Sequence, residues 1–303
     1  MINIIYMGTP DYASSILEVL VKDCEINVLS VYTQPDKPVG RKKVLTAPIV
    51  KTVALENNIK VYQPINLRSV ETQEEIKSLN PDYIVVAAYG QILPKNILDL
   101  APCINLHASI LPQYRGASPI QQSLLNGDKI TGVTAMLMDV GLDTGDILKT
   151  STMDIPDTMM VETLFNSLTD IASTLTLDIL KNFDTFTPIK QIEADSTHCS
   201  KISKENGLVS FDNAQELYNK YRAFTPWPGV YLESGLKLKE IELISTDGEY
   251  KSGEVLEVGK NYLIVGCLKG SIKVLRVQAP SKKEMDMQAY LNGKRLERAD
   301  TLV

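Results

Sequence analysis

The chain has 303 residues, of which 44% are hydrophobic and 22% charged, with a net charge of −6. That length supports one large domain or two ordinary ones, with ample apolar content for a core. No run of about 18 apolar residues occurs, which leaves no candidate for a membrane-spanning helix, and the acidic balance argues against a surface that is basic all over.

The start, MINIIYMGTP, has no basic leader-like segment and passes straight into a strand pattern, so a cytoplasmic protein is expected. NIIYM (3–7) leads through Gly8-Thr9-Pro10 into an amphipathic stretch, DYASSILEVLVKD. Further apolar strands follow at 26–33, 82–90 and 104–107, with helical material between them. Nearly continuous apolar strands separated by helices indicate a mostly parallel, Rossmann-like α/β sheet with helices on both faces. TGVTAMLMD (131–139) and DILKTSTMDI (146–155) read as two more strands, antiparallel at an edge, before a long amphipathic helix at 161–183. Periodicity then fails, and residues 189–206 read as a linker between a catalytic domain (1–188) and a C-terminal domain (207–303). In the latter, a helix (NAQELYNKYRAF) ends at TPWPG, and five short apolar runs are punctuated by Gly235, Asp247-Gly248, Gly259 and Gly270. That spacing predicts a small β-barrel, with an oligonucleotide-binding (OB-like) barrel preferred.

Charge is unevenly divided. From Ser203 onward 15 Lys+Arg face 14 Asp+Glu, whereas the first 202 residues hold 16 against 23. A polyanion would therefore be met by local patches. The four cysteines have no CxxC spacing and are expected as free thiols. The two histidines are far apart, so no metal site is expected.

Three motifs invite chemistry. Gly8-Thr9-Pro10 carries one glycine of a GxGxxG pattern and reads as a tight turn at a strand end, not as a dinucleotide site. Asp139-Val-Gly-Leu-Asp143-Thr-Gly-Asp146 has Thr144 where a calcium loop needs glycine and Thr150 where it needs glutamate, so calcium is discarded. Asn105 and His107 stand two apart on a strand, which puts both side chains on one face. An amide and an imidazole there can direct hydrogen bonds at the oxyanion of a tetrahedral intermediate, and the imidazole can exchange a proton with an amine. Asp143 could join the proton traffic if its turn comes back over the sheet. No nucleophile constellation is present, so direct attack by a substrate amine fits better than a covalent enzyme intermediate. Spacing alone leaves a structural and a catalytic reading of His107 equally open.

INLHASILPQYRGASPIQQSLLNGDKITGVTAMLMDVGLDTGDIL resembles the core signature of the folate-dependent formyltransferases: Asn-x-His, Ser-x-Leu-Pro-x-x-Arg-Gly and Asp-x-Gly-x-Asp-x-Gly-Asp, in that order. The resemblance implies transfer of a formyl group from 10-formyltetrahydrofolate to an amine, without a metal. It runs nearly end to end with the branch of the family whose acceptor is the α-amino group of methionyl initiator tRNA, in GTPDYAS, TQPDKPVGRKK, AAYGQILP, KISKENGLVSF, YRAFTPWPGVY and VQAPSKKEMDMQAYLNGKRL. It implies a monomer acting in translation initiation.

Carried over position by position, Asn105 and His107 would hold the oxyanion. Asp143 would order a water, tune His107 and help remove the amine's proton. Backbone groups of Tyr89, Gly90, Gln91, Ile92 and Leu93 would read the pterin edge, and Ser109, Ile110, Leu111 and Pro112 would form part of the folate wall. Arg115 is expected to be structural, paired with a neighbouring carboxylate or carbonyl. The basic loop of Arg41, Lys42 and Lys43 would approach the tRNA acceptor end, although it is one residue shorter than the commoner Gly-Arg-Gly-Lys-Lys. Lys201, Lys204, Lys282 and Lys283 are candidates for phosphate contact, and Trp227 is expected to pack in a core or domain interface. Two other readings remain: a nucleotide-sugar amine N-formyltransferase, and a folate- or tRNA-binding module without turnover.

Overall fold

The computed structural model describes residues 1–40 and 42–303. The chain starts with β1 (Ile2–Gly8), α1 (Asp11–Lys22) and β2 (Ile26–Tyr32), then a small hairpin of β3 (Lys37–Val39) and β4 (Val44–Thr46). α2 (Ile49–Glu56), β5 (Val61–Tyr62), α3 (Val70–Ser78), β6 (Tyr83–Ala87), α4 (Lys95–Leu98) and β7 (Cys103–His107) follow. Next come β8 (Arg115–Gly116), α5 (Pro119–Asn126), β9 (Ile130–Leu137), β10 (Ile147–Asp154), α6 (Val161–Asn182) and β11 (His198–Cys199).

Two compact units form. The first comprises Met1–Pro119, Ile130–Ile155 and Glu162–Cys199; the second comprises Ile120–Lys129, Pro156–Val161 and Ser200–Val303. The stretch expected as a linker is therefore divided: up to Cys199 it belongs to the first unit. The reason is backbone pairing, because Ile189 bridges Ile147 and β11 runs parallel to β8.

The first unit is built on a seven-stranded sheet in the order β10-β9-β7-β6-β1-β2-β5. Only β9 runs against its neighbours. Strand alternation assigns side chains to opposite faces. Ile5, Met7, Ile84 and Val86 bury one face against Ile76 of α3 and Ile97 of α4. Tyr6, from the other face, donates its hydroxyl to Ala13 O in α1 at 2.6 Å, and Tyr12 of α1 meets Phe165 of α6 edge-on. Helices thus cover both faces, each buried Ile or Leu contributing about 1.5–3 kcal/mol of apolar burial. Gly8 lets α1 approach: a Cβ there would lie 2.5 Å from Ala13 Cβ and 3.1 Å from Ala87 O.

The sheet order reverses between β1 and β6, since β2 and β5 extend one way and β7 the other. In open α/β sheets, the crevice beyond the carboxyl ends of strands at such a reversal is where ligands bind. Here those ends are Gly8-Thr9, the turn after Ala87 and the turn after His107.

The second unit continues with α7 (Ala214–Phe224), β12 (Val230–Tyr231), β13 (Lys237–Ser245), β14 (Val255–Val258), β15 (Leu263–Gly266), β16 (Ser271–Gln278), β17 (Met285–Asp286) and α8 (Met287–Lys294). Its strands make one antiparallel sheet, β12-β13-β16-β15-β14 with β17 on β16. Asn213 caps α7 by accepting from Gln215 N and Glu216 N. Buried Arg222 donates to Asn219 Oδ1 at 2.7 Å and, more distantly, to the carbonyls of Pro156 and Met159. Asn219 in turn donates to Leu125 O at 3.3 Å. Residues 120–129 and 156–161 are thereby fastened to α7 inside this unit.

Candidate active site

β7 delivers Asn105 and His107 to the carboxyl edge of the sheet. The strand lies between β6 and β9, and its Leu106 faces away into the core. His107 is only 7% exposed, and its Nε2 lies 2.9 Å from Tyr114 O. A carbonyl can only accept, so Nε2 carries the proton and the other ring nitrogen faces the site. That nitrogen, Nδ1, is 3.7 Å from Asp143 Oδ2, close enough for attraction and too long for a hydrogen bond. With Nε2–H committed to Tyr114, the ring can donate a second hydrogen bond only as the imidazolium, through Nδ1.

Asp143 arrives from the turn between β9 and β10. The turn folds back over the end of β9, where Leu137 N donates to Asp146 O at 2.9 Å. Gly145 makes this possible, because a Cβ there would fall 1.6 Å from Leu137 O. Asp143 sits at φ +55°, a left-handed conformation unusual for a residue with a side chain. Its Oδ2 accepts from Gly116 N at 2.8 Å and its Oδ1 from Asn105 Nδ2 at 3.4 Å. Asn105, His107 and Asp143 therefore converge, although 36 residues separate His107 from Asp143.

Arg115 is 1% exposed, and Glu193 Oε2 accepts from its Nη1 at 2.8 Å. That guanidinium holds the exposed Glu193 carboxyl below the usual range. Arg115 is thus the structural residue expected. Its other donors, Nε and Nη2, go to Gln191 Oε1, and Gln191 Nε2 donates to Asp143 O and Gly145 O. Sequence reasoning missed Gln191, which lies in an aperiodic stretch. Cys199 also backs the site, with Sγ 3.3 Å from Tyr114 O. Burial, and secondarily the nearby Asp143 charge, push its thiol pKa up.

The residues assigned to folate divide by exposure. Tyr89, Leu93, Ser109 and Leu111 are buried, and Tyr89 and Leu93 belong to the hydrophobic core. What they offer outward is backbone. The Tyr89 carbonyl already accepts from Thr9 Oγ1 at 3.0 Å and Gln34 Nε2 at 3.2 Å. Ser109 Oγ donates to Gln113 O, while Thr134 Oγ1 bonds Ser109 O and Leu111 N, fixing the turn that ends at Pro112. Gly90 at φ +79° and Ile92, 77% exposed, face outward, and Ile110 is half-buried. Gln91 donates to Pro64 O, leaving its buried Oε1 without a protein partner. An open glycine, an apolar side chain and an orphaned acceptor fit a flat heteroaromatic ring edged with N–H donors.

Comparison with known proteins gives the family. Residues 1–180 match the formyl transferase family model, and residues 201–295 match that of the formyl transferase C-terminal domain. The methionyl-tRNA formyltransferase of Sulfurimonas denitrificans is 60% identical over 300 residues, 99% of each chain. The methionyl-tRNA formyltransferase of a Nitratiruptor species is 55% identical over 301 residues, again 99% of each. The chain belongs to the methionyl-tRNA formyltransferase branch of the formyl transferase family. A more distant likeness, to an N-formyltransferase of Helicobacter canadensis solved with folinic acid and dTDP-3-aminofucose, has a TM-score of 0.67 at 20% identity. It covers 90% of this chain and 99% of that one, and it is a likeness of fold.

Of the cations singled out in this formyl transferase, Arg41 lies outside the described residues. Lys42 and Lys43 are exposed on the β3–β4 hairpin. The base of that hairpin is fixed by Asp36, which accepts from Gln63 at 2.7 Å and from Lys51 at 2.9 Å; these bonds hold its carboxyl below the usual range. In the second unit Lys201, Lys204, Lys282 and Lys283 are all exposed. Trp227 is 61% exposed, which corrects the expectation that it is packed away. TPWPG follows the end of α7, and its indole lies in the open.

Among the described residues no helix is long and apolar enough to cross a membrane.

Proposed function

We propose that this formyl transferase moves the formyl group of 10-formyltetrahydrofolate to the α-amino group of methionyl initiator tRNA, as a monomer in the cytoplasm, for translation initiation. The observation that carries the chemistry is the convergence of Asn105, His107 and Asp143 at the carboxyl edge of the sheet. The acceptor is carried by the full-length likeness to relatives that bear that name.

The neutral amine attacks the formyl carbon. A C–N bond forms, and the carbonyl π pair moves onto oxygen. Asn105 Nδ2 and an imidazolium Nδ1–H of His107 donate to that oxyanion, where preorganised donors act most strongly. The ammonium proton passes to Asp143, directly or through one ordered water. The intermediate collapses, the carbonyl re-forms, and the bond to folate N10 breaks as that nitrogen takes the proton that Asp143 received. The turns after Ala87 and His107 hold the folate, and the second unit with the β3–β4 hairpin meets the tRNA.

The test offers purified protein 10-formyltetrahydrofolate with two amines, methionyl initiator tRNA and an amino-sugar nucleotide. Rapid formylation of the tRNA alone is expected. Turnover on the sugar alone would overturn the acceptor, and silence on both would overturn the reaction.

A further inference from the structure

We infer that Gln191 is a positioning residue for Asp143, which it holds in its reactive pose through the backbone of the turn. The inference rests on the role proposed for Asp143. A primary amide has two donor hydrogens and two acceptor lone pairs, and Gln191 uses all four. Its Nε2 donates to Asp143 O at 2.9 Å and Gly145 O at 2.8 Å, while its Oε1 accepts from Arg115 Nε at 3.1 Å and Nη2 at 3.0 Å.

This pattern is specific to an amide. A carboxylate would set oxygen against two carbonyl oxygens, and a hydrocarbon would strand both carbonyls and two donors of a guanidinium that is 1% exposed.

Asp143 needs such a clamp. At φ +55° its backbone occupies a region that persists only where the surroundings over-determine it. Two holds meet there: Gln191 takes the carbonyl of Asp143, and Gly116 N–H takes its carboxylate. Both originate in β8, since Arg115 orients Gln191 and Gly116 is the next residue. β8 is itself fixed by β11 and by the bond from Arg115 N to Thr197 O at 2.9 Å. Gln191 touches no reacting atom and acts through Asp143. Displacing a reacting group by about 1 Å costs a rate on the order of a hundredfold.

The test compares the full-length wild type with Gln191→Leu, Gln191→Glu, Asp143→Ala and the double variant Gln191→Leu/Asp143→Ala. Gln191→Glu keeps an acceptor for Arg115, so it guards against a folding defect in the leucine variant. For both single Gln191 variants kcat is expected to fall roughly tenfold to a hundredfold, with the KM for 10-formyltetrahydrofolate within about threefold of wild type. In the Asp143→Ala background, Gln191→Leu should cause no further fall. Amide hydrogen exchange across residues 139–146 should accelerate in Gln191→Leu while the rest of the sheet stays protected. Unchanged kcat, parallel losses in kcat and KM, or a full multiplicative loss in the double variant would overturn the inference. If the wild type formylates nothing, the proposed function fails, but exchange still decides the clamp. Unchanged exchange at 139–146 would then overturn it.

Discussion

Replacing Asp143 by asparagine keeps the side chain's shape and removes its charge, and the surrounding donors make the outcome calculable. Oδ2 accepts from Gly116 N at 2.8 Å, and Oδ1 accepts from Asn105 Nδ2 at 3.4 Å. An asparagine has one oxygen for these two donors, so its NH₂ must face one of them. The shorter bond keeps the oxygen, the NH₂ turns to Asn105, and Asn105 must present its own oxygen in reply. The fold then keeps its number of hydrogen bonds and exchanges a charged acceptor for a neutral one, a loss of about 1 kcal/mol at most. The reaction loses more: the proton acceptor, the charge 3.7 Å from His107 Nδ1, and the orientation of the Asn105 donor. Loss of general acid–base assistance alone is worth about 10²–10⁴ in rate, or roughly 3–5 kcal/mol of barrier. Single-turnover formylation of methionyl initiator tRNA, beside thermal unfolding, separates the two. A rate within about tenfold of wild type would refute the assignment of Asp143. So would a melting shift large enough to explain the loss.

Gly145→Ala would place a Cβ 1.6 Å from Leu137 O, so the turn must lift from β9. A loss of about 1–3 kcal/mol is expected in unfolding experiments, together with a lower kcat, and an unshifted transition would contradict the packing of that turn. Changing exposed Lys282 and Lys283 to alanine should weaken tRNA binding uniformly across tRNA sequences. The slope of log affinity against log salt should flatten by about one for each phosphate that is no longer neutralised, and an unchanged slope would remove them from the interface. Burial pushes the thiols of Cys103 and Cys267 up to about 12 and that of Cys199 upward, whereas Cys24 is exposed. An aromatic disulfide reagent at pH 8 should therefore titrate one thiol quickly in the native protein and all four in denaturant. Fast reaction of a second thiol would show that one of the three burial assignments is wrong.

The sheet was legible because burial on both faces writes itself as continuous apolar runs. β1, β2, β6 and β7 carry that signature, and β9 and β10 read as an antiparallel pair at the edge. Asn105 and His107 could be paired from their spacing because strand geometry is fixed. The approach of Asp143 could not be, since it depends on a turn whose fold-back is set by Gly145 against Leu137 O. Gln191 was invisible for another reason. Residues 189–199 are tied down by backbone pairing and by side-chain bonds to Arg115, neither of which leaves a hydrophobic period. The exposure of Trp227 was missed because composition says what a side chain prefers, while the turn around it decides where it points.

The interleaving of the two units has a consequence for how the chain can be made and cut. The backbone passes between them five times, at 119/120, 129/130, 155/156, 161/162 and 199/200. A ribosome that has released residue 199 has made every segment of the first unit, yet the stretches 120–129 and 156–161 still lack the partners they find in α7. Nascent chains must therefore carry two unsatisfied segments until the last third emerges. No single break at any of these crossings separates the units without leaving a segment of one with the other.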